Sequence, residues 1–195
     1  MIGTHGTLLL AAHTASPRQP AEVCAVRFLS SEESEVAFER LGFRRDRLIE
    51  NSRAASRLKA LRFIYGRPED FAHDVAIAIS EQFVGSSTCL LWTFGANRPC
   101  RDPRDLPGYQ EWRRAQGEAR PLAEAPGHLF QADETDLVVA GIEWAFRSNW
   151  NALISASPMA PVIRLYDGDQ LTIYCRSRPK RLIARLDALH MLHLE

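Results

Sequence analysis

The chain has 195 residues, 46% hydrophobic and 25% charged, with 24 Lys+Arg balanced by 24 Asp+Glu. That length supports one buried core, and that composition excludes disordered, collagen-like and disulfide-scaffold proteins. Zero net charge removes the global signature of a nucleic-acid binder and leaves only local patches to supply one.

Residues 1–20 are expected to form a flexible N-terminal segment, and 21–195 a single domain. The apolar run Leu8 to Ala12 has no Lys or Arg before it, a poor secretory pattern. No stretch approaches the roughly eighteen apolar residues of a membrane span. Cys24, Cys89, Cys100 and Cys175 include no C-x-x-C pair, so they read as reduced thiols of a cytoplasmic protein.

"AEVCAVRFL" (21–29) is rich in β-formers and predicts a strand. In the helix that follows, Ser30 and Glu33 hold capping-box positions, and Gly42 is placed to end it. Over 44–65, Ala54, Leu58, Leu61 and Tyr65 lie near one helical face, predicting a long helix stopped by Gly66 and Pro68. Glu69 and Asp70 open the next helix, where Phe71, Val75, Ile79 and Phe83 form an apolar stripe. "SSTCLLWTFG" (86–95) is a continuous apolar run and predicts a strand buried on both faces.

The proline-rich stretch 96–108 predicts a loop, and "YQEWRRAQGE" a short helix. Leu137 to Trp150 predicts a helix that is apolar over most of its circumference. "NALISA", "PVIRLY" and "QLTIYC" predict strands, the last two joined by Asp167-Gly168-Asp169. Pro179 opens a last helix with Leu182, Leu186 and Leu189 on one side. The expected fold is α+β: a mixed or antiparallel central sheet with helices packed on it, and a C-terminal β-meander followed by a helix.

Candidate chemistry is sparse. In "EAPGHLFQADETDL" (124–137), Pro126-Gly127 reads as a turn, "HLF" as an edge strand, and Asp133 as a helix N-cap. Glu134 and Asp136 fall in the first turn, where the helix dipole favours anions. His128 is then either a structural hydrogen-bonding group or a general base oriented by Asp133 or Glu134, without an identifiable nucleophile. His190 and His193, three apart on the last helix, lack a third ligand, so no metal is expected. G-x-S-x-G, G-x-G-x-x-G and the P-loop motif are all missing, and no cofactor is expected. Trp92-Thr93-Phe94-Gly95 at a strand end suits a pocket mouth and core packing equally.

Charge is the clearest surface signal. Arg44, Arg45, Arg47, Arg53, Arg57, Lys59, Arg62 and Arg67 face only Asp46 and Glu50 within 44–67. A second cluster holds Arg98, Arg101, Arg104, Tyr109, Trp112, Arg113 and Arg114. Arginine with Tyr and Trp is the composition of binding hot spots and of phosphate recognition.

"LRFIYGRPEDF" (61–71), "CLLWTFG" (89–95), "RPLAEAPGHLF" (120–130) and the helix-then-"WNALI" passage at 144–154 carry a resemblance. They resemble a family of small bacterial proteins that share an EAPGHLF-type turn before an apolar helix. The resemblance implies no activity. Where the family often has Trp-Asp and a Ser-His-Asp-like turn, this chain has Trp150-Asn151 and Asp167-Gly168-Asp169.

Missing catalytic motifs, together with the charge clusters, favour a non-enzymatic protein-binding domain. Its size and class match immunity-like or accessory proteins of bacterial toxin or defence systems. The expected contact residues are Arg53, Arg57, Arg62, Arg104, Tyr109, Trp112 and Arg113. Two alternatives stand beside it: an enzyme built around His128 with Asp133, and a nucleic-acid-binding accessory protein using the Arg-rich helix. A homodimer is compatible with each.

Overall fold

Side chains along a β-strand alternate between the two faces of its sheet, so each strand of this chain divides its residues between two layers. The computed structural model describes residues 26–44, 58–64, 71–94, 105–166 and 170–194. Its strands are β1 (Arg27–Leu29), β2 (Lys59–Ile64), β3 (Thr88–Phe94), β4 (Gly127–Gln131), β5 (Asn151–Ser155), β6 (Val162–Tyr166), β7 (Gln170–Cys175) and β8 (Leu192–Leu194). They form one sheet in the order β1-β4-β3-β5-β6-β7-β2-β8, antiparallel at every pairing. The helices are α1 (Ser31–Arg40), α2 (Ala72–Ser80), α3 (Asp105–Ala115), α4 (Thr135–Arg147) and α5 (Lys180–Ala188). The α+β expectation holds, and the sheet is wholly antiparallel.

The apolar run of β3 is explained by its central place. Cys89 and Leu91 join the larger core cluster with residues of α2, α4 and α5. Leu90 and Trp92 point the other way, towards Phe38 of α1 and Phe43. Both faces of β3 are therefore covered, and no polar alternation is needed. Two glycines permit the close layers. A Cβ on Gly141 of α4 would stand 2.9 Å from the Phe130 ring on the sheet, and one on Gly127 of β4 would strike Ser34 Oγ of α1.

Local signals at α1 hold. Ser30 Oγ accepts from Glu33 N, Glu33 Oε2 accepts from Ser30 N, and Gly42 takes a φ of +82° just past the helix. The Ser30 amide holds the Glu33 carboxyl below its usual range.

Several expectations are corrected. The long helix over 44–65 is contradicted at its end, because 59–64 forms β2 between β7 and β8. Leu61 and Phe63, two apart, share the face of the larger core, and Phe63 is fully buried. A period of two outranks the helical spacing there. "HLF" is not an edge strand, since β4 lies between β1 and β3. Asp133 is exposed in a turn and the N-cap is Glu134, whose carboxylate accepts from Gln131 N at 2.6 Å. His190 follows α5 with a φ of +57°, and His193 lies in β8 against the Phe63 ring. The two histidines therefore do not share a helix face.

Candidate functional site

The β4 register sets His128 opposite Leu91 of β3 and Phe28 of β1. Tyr109, Trp112 and Arg113 stand at i, i+3 and i+4 on α3, one helical face, and that face lies over His128. The Tyr109 hydroxyl is 2.7 Å from His128 Nε2. Arg113 donates to that hydroxyl at 3.0 Å, to the Ala125 carbonyl at 3.1 Å and to the Arg120 carbonyl at 3.1 Å. Its guanidinium also stands 4.8 Å over the Phe28 ring. Phe28, Trp112 and Phe130 surround the imidazole, and Trp150 packs edge-on against Tyr109.

This cluster is interior. His128 is 1% exposed, and Tyr109 and Arg113 are each 2% exposed. Burial, with the Arg113 guanidinium adding to it, pushes the imidazole pKa down to about 3. The Leu91 and Pro126 carbonyls oppose that shift only in part. The ring is neutral at physiological pH, and its Nδ1 has no hydrogen-bond partner. A general base works best with a pKa near the operating pH and within reach of substrate. His128 has neither property. Its side-chain partner is Tyr109, while Asp133 is exposed and Glu134 is bonded to Gln131 N. The proposed base and its orienting carboxylates are thus not assembled, and His128 serves to tie α3 to β4. A surface cavity lined by Ser80, Phe83, Thr88, Cys89, Gln131 and Val138 does not include it.

The expected contact surface is also rearranged. Tyr109 and Arg113 are buried rather than presented, and the Arg113 Nη1 and Nη2 atoms bond the Tyr109 hydroxyl and the loop carbonyls. Trp112 is half-buried against Phe28. Arg62 is exposed on β2, but α3 covers the β1–β4 end of the sheet and β2 lies five strand positions from β4. At about 4.8 Å per strand that is about 24 Å, so Arg62 and the α3 cluster form no single surface. Arg53, Arg57 and Arg104 lie outside the described residues.

A different basic group does assemble. Arg176 and Arg178 occur in the four residues that link β7 to α5, and Lys180 and Arg181 open α5, with no carboxylate in 176–181. The β2–β7 register places Lys59 opposite Cys175, the last residue of β7, and Cys175 Sγ approaches the Lys59 carbonyl at 3.7 Å. Burial pushes the Cys175 thiol up, while Lys59 and Arg178 pull it the other way. Both cations therefore act electrostatically on this thiol. All five basic side chains are exposed.

Among the described residues these five cations form no ion pair, whereas Arg27, Arg120, Arg147 and Arg185 are matched to Glu33, Glu118, Glu143 and Glu81. Lys180 and Arg181 also sit in the first turn of α5 without an acidic residue, where the helix dipole disfavours cations. Mutual repulsion and the dipole both oppose this arrangement within the fold, and an external anion would relieve both. The run "RSRPKR" was visible in the sequence. The contribution of Lys59 was not, since it is 116 residues from Cys175.

Among the described residues no group of His, Cys, Asp and Glu could hold a metal ion, and no helix is long and apolar enough to cross a membrane. Comparison with family models, curated proteins and solved structures finds no match to this chain.

Proposed function

We propose that the protein is a non-enzymatic binding domain whose partner is polyanionic at the contact. One observation carries the reading: Lys59 and Arg178 both act on Cys175 at the end of β7, Arg176, Lys180 and Arg181 lie within the next six residues, and all five are exposed without an ion pair among the described residues. In a chain of zero net charge, such a cluster raises the local concentration of anions and steers their approach. The protein partner expected from the sequence would have to be acidic where it meets these residues.

Heparin, a generic polyanion, tests the reading. The full chain is expected to be retained on immobilised heparin at low salt. The double variant Arg178→Glu/Arg181→Glu is expected to elute at clearly lower salt while melting at the same temperature. Passage of the unaltered chain through the column unretained would defeat the proposal.

A further inference from the structure

We infer that the polyanion is the phosphate backbone of a nucleic-acid duplex, held without sequence reading by Lys59, Arg176, Arg178, Lys180 and Arg181. The inference rests on the binding-domain reading above and narrows it to one class of partner.

Composition of the patch decides between protein and nucleic acid. Protein interfaces are anchored by buried aromatic and apolar side chains, and lysine is depleted at their centres. Among the described residues no such anchor falls within 176–181 or at Lys59. Tyr174 and Cys175 are buried, and the exposed large hydrophobic residues of the described chain are Val36, Val84, Met159, Tyr166, Leu192 and Leu194. None of them falls within 176–181, and Leu194, on the strand beside β2, pairs with Arg62 three residues along from Lys59. The patch is cationic with only Ser177 and Pro179 interspersed.

The same composition argues against a single-stranded target and against reading of adenine, and leaves guanine contact by arginine to the two-duplex comparison. Single strands are held by stacking on exposed aromatic rings, and adenine is read by Asn or Gln. Residues 176–181 supply none of these. What remains is contact with closely spaced phosphates, which positions a protein without conveying sequence. Four extended steps from Arg176 to Lys180 and one helical step to Arg181 span at most about 16 Å. Duplex DNA carries one charge per roughly 1.7 Å of axis, so that length offers on the order of ten phosphates to five cations.

Fluorescence anisotropy with two 20-base-pair DNA duplexes of unrelated sequence, titrated at several salt concentrations, tests the inference. Release of one counter-ion per contact gives a log–log salt slope of about −4.5 for five contacts, a loss of about 500-fold in affinity between 50 and 200 mM salt. The two duplexes are expected to bind alike. Neutralising two contacts with Arg178→Gln/Arg181→Gln is expected to shift the slope to about −2.7, with the circular-dichroism melt unchanged as the folding control. A chain retained on heparin that binds poly-glutamate but no duplex would overturn the inference and leave the polyanion reading standing. Duplex binding with an unchanged slope in the double variant would overturn the assignment of these residues. Strong preference between the duplexes would overturn backbone-only contact, and failure on heparin, duplex and poly-glutamate alike would remove both readings.

Discussion

Replacing His128 by glutamine provides a direct test of the buried network, because the native imidazole must lose its proton to fit. Its pKa is about 3 in the fold against an ordinary value of 6.5. The folded value is the lower one, so the unfolded chain binds the proton more tightly. The stabilisation from keeping the ring neutral is complete above pH 6.5 and is lost as pH falls towards 3. At pH 5 the unfolded chain lies 1.5 units below the ordinary pKa, and each unit is worth about 1.36 kcal/mol. His128 alone therefore removes about 2 kcal/mol of stability between pH 7 and pH 5. Glutamine cannot titrate but can still accept from the Tyr109 hydroxyl. It is expected to cost about 1–3 kcal/mol at pH 7 for imperfect packing and bonding. The loss on acidification is expected to be smaller than that of the parent by about 2 kcal/mol. Urea denaturation at pH 7, 6 and 5 measures both quantities. Equal pH dependence in the two proteins would refute the argument that His128 is sealed and neutral.

Two further outcomes concern the packing around this site. Arg113→Met strips the donor from the Tyr109 hydroxyl and from the Ala125 and Arg120 carbonyls, and is expected to cost about 2–4 kcal/mol by denaturant titration. Because the guanidinium helps hold the His128 pKa down, the same variant is expected to raise that pKa, read as a weaker loss of stability towards pH 5. Gly127→Ala would bring a Cβ against Ser34 Oγ and within 2.9 Å of Leu29 Cβ. Separating α1 and β1 from β4 is expected to cost about 1–3 kcal/mol, and a melt identical to the parent would show that these layers are looser than the structure requires.

Short-range patterns in the sequence were decisive wherever the controlling interaction was itself short-range. The Ser30–Glu33 capping box spans three residues, Gly42 meets a local need for positive φ, and the β3 run declares two-sided burial through its own apolar content. The strands of the C-terminal meander and the apolar helix before it were legible for the same reason. The RSRPKR run of the proposed surface was equally open to reading, though not that it forms no ion pair among the described residues.

Tertiary structure decided the rest. Lys59–Ile64 carries apolar residues compatible with either period, and only pairing with β7 and β8 makes it a strand. Tyr109 and Arg113 look like surface groups on a short polar helix. They become interior groups because His128, fifteen or more residues away, presents a ring nitrogen and the 120–125 loop presents carbonyls. Lys59 comes next to Cys175, the residue before the RSRPKR run, only through the β2–β7 register. Local sequence sets which conformations are cheap for a segment; which of its polar groups are sealed, satisfied or left facing water depends on partners that only the assembled sheet brings within reach.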